Sequence, residues 1–204
     1  MKKIKLPKFF NYKEEDTDNG YETIQDFFLS WTFRCALEGY KDTNTMLNLY
    51  AKEVVFALLN GENNIKGEFE TTTNINSEFK VIKINTLRQK GQVDLIAIIE
   101  IESDLKKSKY VLNIENKWYT SIRDGQLEKS KKYVETKYQN EHIEILHYVI
   151  FCDYEKLDDT AKRRCQENGY KYLTIEDLKY ASSMNTKGET GNALFDEYWF
   201  NFSG

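Results

Sequence analysis

The feature that most constrains this 204-residue chain is a change of hydrophobic period between residues 79 and 117. Upstream, apolar residues recur every three or four positions. In this window they crowd into three short runs, 79–84, 93–101 and 110–117, rich in Ile and Val, which read as strands. Residues 103–108 between the last two predict a hairpin turn, and a fourth apolar run, 143–151, follows after a helical stretch. Strands this apolar must be covered by helices, which makes the chain α/β, with an antiparallel hairpin and a crossover to a later strand.

The flanking segments supply those helices. Ile24, Phe27, Phe28, Trp31 and Cys35 recur at helical spacing from Tyr21 onward, and a second run covers 46–59 and stops at Asn60-Gly61. A short strand is expected around 69–73. A helix over about 124–138 turns Leu127, Lys131, Val134 and Tyr138 inward. The tail predicts a helix near 157–167, a strand over 170–173 and a helix opened by the Thr174-Ile175-Glu176-Asp177 capping box. The aromatic cluster Phe195, Tyr198, Trp199, Phe200 and Phe202 predicts a tail docked on the core. No repeat or linker divides the chain, so a single domain is expected: a loose arm over 1–20, a core over 21–152, and C-terminal helices and tail over 153–204.

Composition excludes several classes. A net charge of -4 argues against a general nucleic-acid glue, although a local basic face can coexist with an acidic total. Cys35, Cys152 and Cys165 have no CxxC spacing and read as reduced thiols. His142 and His147, five apart in an apparent strand, point to opposite faces and cannot form a zinc pair there. No apolar stretch follows the basic N-terminus as in a signal peptide, and none is long enough to span a membrane, so a soluble, cytoplasmic protein is expected. Phosphate-binding glycine loops and the nucleophile elbow are missing, which sets aside NTP hydrolysis and serine chemistry.

The candidate chemistry lies at the ends of two strands, in Gly91-Gln92-Val93-Asp94-Leu95 and Asn113-Ile114-Glu115-Asn116-Lys117. Alternation puts Asp94 on the face of Ile96 and Ile98. Glu115 and Lys117 share a face with Val111 and Asn113, with Leu112 and Ile114 opposite. Two readings fit. Asp94 could end a strand, with Glu115 and Lys117 a solvated edge pair worth little. Alternatively the two acids hold a divalent cation, with the carbonyl of Asn116 completing a half-shell and Lys117 orienting an attacking water.

The pattern VDL, then IENK about twenty residues on, then GQL opening a helix, resembles the PD-(D/E)XK nuclease superfamily, closest to a branch with an ENK…QL motif. The likeness covers roughly residues 21–152. It implies a restriction-endonuclease-like core, a mixed central sheet flanked by helices with two helices preceding it. It further implies Asp94 and Glu115 as metal ligands, for which Mg²⁺ is expected with Mn²⁺ substituting, and Lys117 as the catalytic lysine. Gln126 would sit near the active site. On the same helix Lys129, Ser130, Tyr133 and Lys137 would meet the phosphate backbone, against the alternative of a plain solvated basic face. An acidic residue on the first helix is also implied: Glu22 is the choice and Glu53, on the second helix, the alternative. The chain departs from the pattern at Val93, where proline is common, and at Ser130, where an aromatic commonly follows. DNA is the expected substrate ahead of RNA, and a homodimer would place two sites on two strands. The other functional reading is a catalytically silent interaction module of a phage or defence system.

Overall fold

The computed structural model describes residues 20–72, 78–118, 120–139, 142–152 and 156–202. Apart from Gly20, the arm expected over 1–20 lies outside them, as does Thr73 of the short strand. The elements run α1 (Tyr21–Cys35), α2 (Thr45–Asn60), β1 (Gly61–Asn63), β2 (Phe69–Thr71), β3 (Lys80–Lys90), β4 (Val93–Ser103), β5 (Lys106–Lys117), α3 (Gln126–Tyr138), β6 (Glu144–Phe151), α4 (Asp159–Glu167), β7 (Lys171–Thr174), α5 (Ile175–Ala181), α6 (Met184–Lys187) and α7 (Ala193–Asp196), closed by a π-helical turn, Glu197–Phe202. Strands β3 to β7 form one sheet in chain order. The β3–β4–β5 meander is antiparallel, whereas β6 and β7 are parallel to β5, reached through α3 and α4. This mixed sheet flanked by helices, with two helices preceding it, is the architecture expected from the resemblance.

The two faces of β4 and β5 separate as alternation requires. Leu95, Ala97, Ile99, Leu112 and Ile114 pack beneath α1 and α2. Ile96, Ile98 and Val111 pack with Val134 and Tyr138 of α3. With both faces covered, the strands read as near-continuous apolar runs. The C-terminal cluster docks on the α1 side: Tyr198 stacks on Phe28 with ring centroids 4.0 Å apart, and Trp199 donates through Nε1 to Thr32 Oγ1 at 3.3 Å.

Three expectations change. The β4–β5 turn is two residues, Asp104-Leu105, both at positive φ, rather than the broader 103–108 loop. On α1 the innermost stripe is Gln25, Leu29 and Phe33, each fully buried, while Phe27 is 55% exposed. His142 lies before β6 rather than on it. The Thr174 capping box forms as expected, Thr174 and Asp177 exchanging bonds of 2.7 and 3.1 Å.

Candidate active site

Strand β5 runs on past the point where β4 leaves it. The β4–β5 ladder stops at Leu95 and Ile114, while the β5–β6 ladder continues to Lys117 and Phe151. Cys152 N donates to Lys117 O at 2.9 Å. In a parallel ladder alternate residues turn their backbone groups to the same neighbour, so Lys117 faces β6 and Asn116 faces the β4 side. There the Asn116 N–H donates to Asp94 Oδ2 at 3.0 Å. The splayed end of the sheet thus holds a carboxylate where the ladder would have continued.

Glu115 and Lys117 lie on the α3 face as alternation predicts, and they are buried, 1% and 3% exposed. Lys117 Nζ donates to Glu115 Oε1 at 2.9 Å, and Gln126 Nε2 donates to the same oxygen. The other oxygen, Oε2, is buried and has no donor. Burial, reinforced by the charge of Asp94, pushes the Glu115 carboxyl up to about 8, against the pull of Lys117. A solvated edge pair requires exposure, and this pair has almost none. That reading of the sequence fails on burial.

The α1 side holds residues that the sequence did not single out. The Asn116 side chain, on the opposite face from Glu115, accepts from Gln25 Nε2 at 2.9 Å and donates to Asp26 Oδ1. Gln25 Oε1 in turn accepts from the Cys152 thiol. Asp26 is raised to about 7, by burial first and then by Asp94, with Asn116 and Arg88 acting in the other direction. Glu22 lies one turn earlier. Its Oε1 accepts from Trp118 N at 3.1 Å and Thr120 Oγ1 at 2.7 Å, which ties it to the segment leaving β5. Glu53 points elsewhere, to Ser183 Oγ at 3.0 Å and Lys187 Nζ at 3.8 Å in the C-terminal helices.

On the α3 side, Gln126 is the first residue of the helix, after Gly125 in the left-handed region. Its Oε1 accepts from Arg123 N at 3.2 Å while its amide reaches Glu115. An open cleft of about 520 Å³ is lined by Gln89, Gln92, Asp94, Arg123, Gln126 and Lys129. Lys129 and Lys137 are exposed, and Lys137 Nζ lies 5.6 Å from the Tyr133 ring centroid. Tyr133 packs against Gly91 of the β3–β4 turn, so closely that a Cβ there would collide with the ring.

Ser130, expected with that basic face, is instead fully buried and donates to Asn113 Oδ1 at 3.0 Å. Asn113 Nδ2 donates to the Tyr170 hydroxyl at 2.8 Å and pairs with His147 Nδ1 at 2.9 Å. Burial, then the charge of Lys131, pulls His147 down to about 4, so its neutral ring accepts at Nδ1 and turns Nε2–H toward Glu135 at 3.5 Å. This network locks α3 onto β5 behind Glu115. Arg164 performs the same office for the preceding loop, pairing with Asp124 at 2.8 Å and donating to Ile122 O.

An all-oxygen donor set beside a buried carboxylate oxygen that lacks a donor suits a hard divalent cation. Among the described residues, no three His, Cys, Asp or Glu side chains gather closely enough to hold a metal on their own. Asp94 and Glu115 would therefore need the Asn116 carbonyl and water, a shell of the kind Mg²⁺ accepts. A family model described as the PD-(D/E)XK nuclease superfamily matches residues 8–198 of the chain. Comparison with curated proteins and with solved structures gave no match.

Proposed function

The chain belongs to the PD-(D/E)XK nuclease superfamily, and from that premise we propose that it is a metal-dependent nuclease hydrolysing phosphodiester bonds of DNA. The observation that carries this reading is Glu115: a carboxyl 1% exposed, with Lys117 and Gln126 on one oxygen and with Asp94 close enough to raise its pKa. Burial and the neighbouring Asp94 hold the Glu115 carboxyl up to about 8 despite Lys117, and a divalent cation would supply the further countercharge that lets both acids ionise. The bound Mg²⁺ or Mn²⁺ would supply Lewis-acid stabilisation of the charge that develops on the phosphate.

The chain's own residues would divide the remaining work. Asp94, Glu115 and the Asn116 carbonyl would hold the cation. Lys117, its ammonium anchored on Glu115, would orient the attacking water and oppose negative charge in the transition state. Gln126 would hold Glu115 in place from the start of α3. Arg123 and Lys129 line the same cleft and suit the backbone phosphates of a bound strand.

Purified protein should degrade plasmid or linear DNA when Mg²⁺ is supplied. Lys117→Ala and Asp94→Ala should each abolish cleavage while preserving the circular-dichroism spectrum and cooperative melting of the parent. Persistent cleavage in both variants would overturn the proposal.

A further inference from the structure

Phe27 sits on the rim of this site. It follows Asp26, a residue only 2% exposed, yet its own ring is 55% exposed. A large aromatic left in water forgoes the burial that such side chains normally gain. One side of the ring is occupied: the Arg88 guanidinium lies over it, 3.1 Å from the centroid. Arg88 pairs across the ladder with Leu95, the residue after Asp94. The Cα atoms of Arg88 and Asp94 are thus separated by one ladder spacing of about 5 Å and one peptide step of about 4 Å. Phe27 therefore lies on the α1 side of the sheet end, across from the Arg123 and Lys129 cleft, and next to Asp26, which bonds Asn116 and feels the charge of Asp94.

We propose that the outer face of Phe27, backed by Arg88, is a stacking site for an unpaired nucleobase next to the scissile phosphate. The inference rests on the nuclease reading above and narrows its substrate to single strands. The chemistry is direct. Every base offers a flat π-face, so stacking tolerates any sequence. In an intact duplex those faces are covered by neighbouring bases, and only an unstacked base can use the ring. The guanidinium beneath holds the ring upright through a cation–π contact and places positive charge beside the strand's phosphates. Asp26 and Asn116, bonded to each other just inside, fix the turn of α1 that carries the ring.

The test is a fluorescence-anisotropy titration, with Mg²⁺ omitted, of a labelled single-stranded oligonucleotide and of the matching blunt duplex. Phe27→Ala and Phe27→Leu should each weaken single-strand binding by between fivefold and about a hundredfold, the span of base–aromatic stacking. Phe27→Trp should bind within about twofold of the parent, and duplex affinity should change by less than about twofold in all three variants. Single-strand affinity unchanged in Phe27→Ala, or retained in Phe27→Leu, overturns the stacking site, as does an equal loss on both substrates. If the parent still cleaves DNA in that case, the nuclease reading stands without the stacking site. A parent that neither binds nor cleaves either substrate removes both.

Discussion

Asn116 and Asp26 meet across the join between sheet and first helix, the β5 amide donating to the α1 carboxyl, both groups no more than 2% exposed. The contact couples the helix to the residue whose backbone carbonyl is a candidate cation ligand. It also places a second acid near Asp94. Burial, then Asp94, raises Asp26 from 3.8 to about 7. A carboxyl raised in the folded state stabilises the fold when protonated, and that stability is lost as pH climbs from about 4 to about 7. Asp26→Asn keeps an acceptor for Asn116 and removes the ionisation. In chelator-treated protein the variant should match the parent near pH 4 and exceed it by up to about 4 kcal/mol near pH 8.5. Urea denaturation at the two pH values checks this, and equal stability near pH 8.5 would refute it.

Cation binding should displace a proton from Glu115. The carboxyl lies at about 8 in the metal-free protein, through burial and the charge of Asp94, whereas a ligand must be ionised. The sign follows. Below about pH 8 apparent Mg²⁺ affinity should fall as pH falls, approaching about tenfold per unit. Titration calorimetry at about pH 6, 7 and 8, in buffers of different ionisation heat, reports both the affinity and the proton released. Affinity independent of pH would show that Glu115 is not a ligand.

The candidate site residues of β4 and β5 are legible in the sequence because both strands are covered on both faces, so a charge inside such a run is conspicuous. Asp94, Glu115 and Lys117 stand out for that reason. Gln25 and Asp26 do not, because on α1 only the apolar periodicity and the implied acid at Glu22 single out positions. The fully buried Gln25, Leu29 and Phe33 fall at successive intervals of four, and a polar residue leading that stripe was the available signal. The outer half of β3, Asn85–Lys90, is polar and half-exposed, and its strand character depends on pairing with β4 rather than on its own composition. Phe27 read as core because hydrophobicity does not reveal which face of a helix meets the sheet.

His147 should govern behaviour in acid. Its ring is 7% exposed and pulled down to about 4 by burial and Lys131. A histidine held neutral in the fold contributes stability that is present above its unfolded value near 6.5 and lost as pH falls toward 4. His147→Gln, which retains an acceptor for Asn113, should show a weaker loss between those limits, by up to about 3 kcal/mol at the acid end. Chemical denaturation of parent and variant across this window gives the difference directly. Parallel pH profiles for the two proteins would contradict the assignment.

Gly91 is required twice over. Its φ of 64° lies in the left-handed region, and a Cβ would strike the Tyr133 ring. Gly91→Ala should therefore destabilise by at least about 2 kcal/mol, adding a steric clash to a conformational cost of about 1 kcal/mol. Tyr133→Ala removes the clash and leaves the backbone cost. In a double-mutant cycle the second substitution should recover part of the loss from the first. Full additivity would mean that the ring and the turn do not touch.

The other hairpin carries the opposite imbalance. Leu105 occupies the second position of the two-residue β4–β5 turn at φ 63° while 96% exposed, so it bears left-handed strain without any compensating burial. Such turns favour Asp-Gly, and Asp104 already supplies the first residue. The left-handed cost of about 1–2 kcal/mol for a side chain exceeds the entropic cost of glycine, about 0.5–1 kcal/mol. Leu105→Gly should stabilise the protein by about 0.5–1 kcal/mol. The turn lies at the end of β5 away from Glu115 and Lys117, so DNA cleavage should be unchanged. A lower melting temperature in the variant would show that Leu105 makes a contact that offsets its strain.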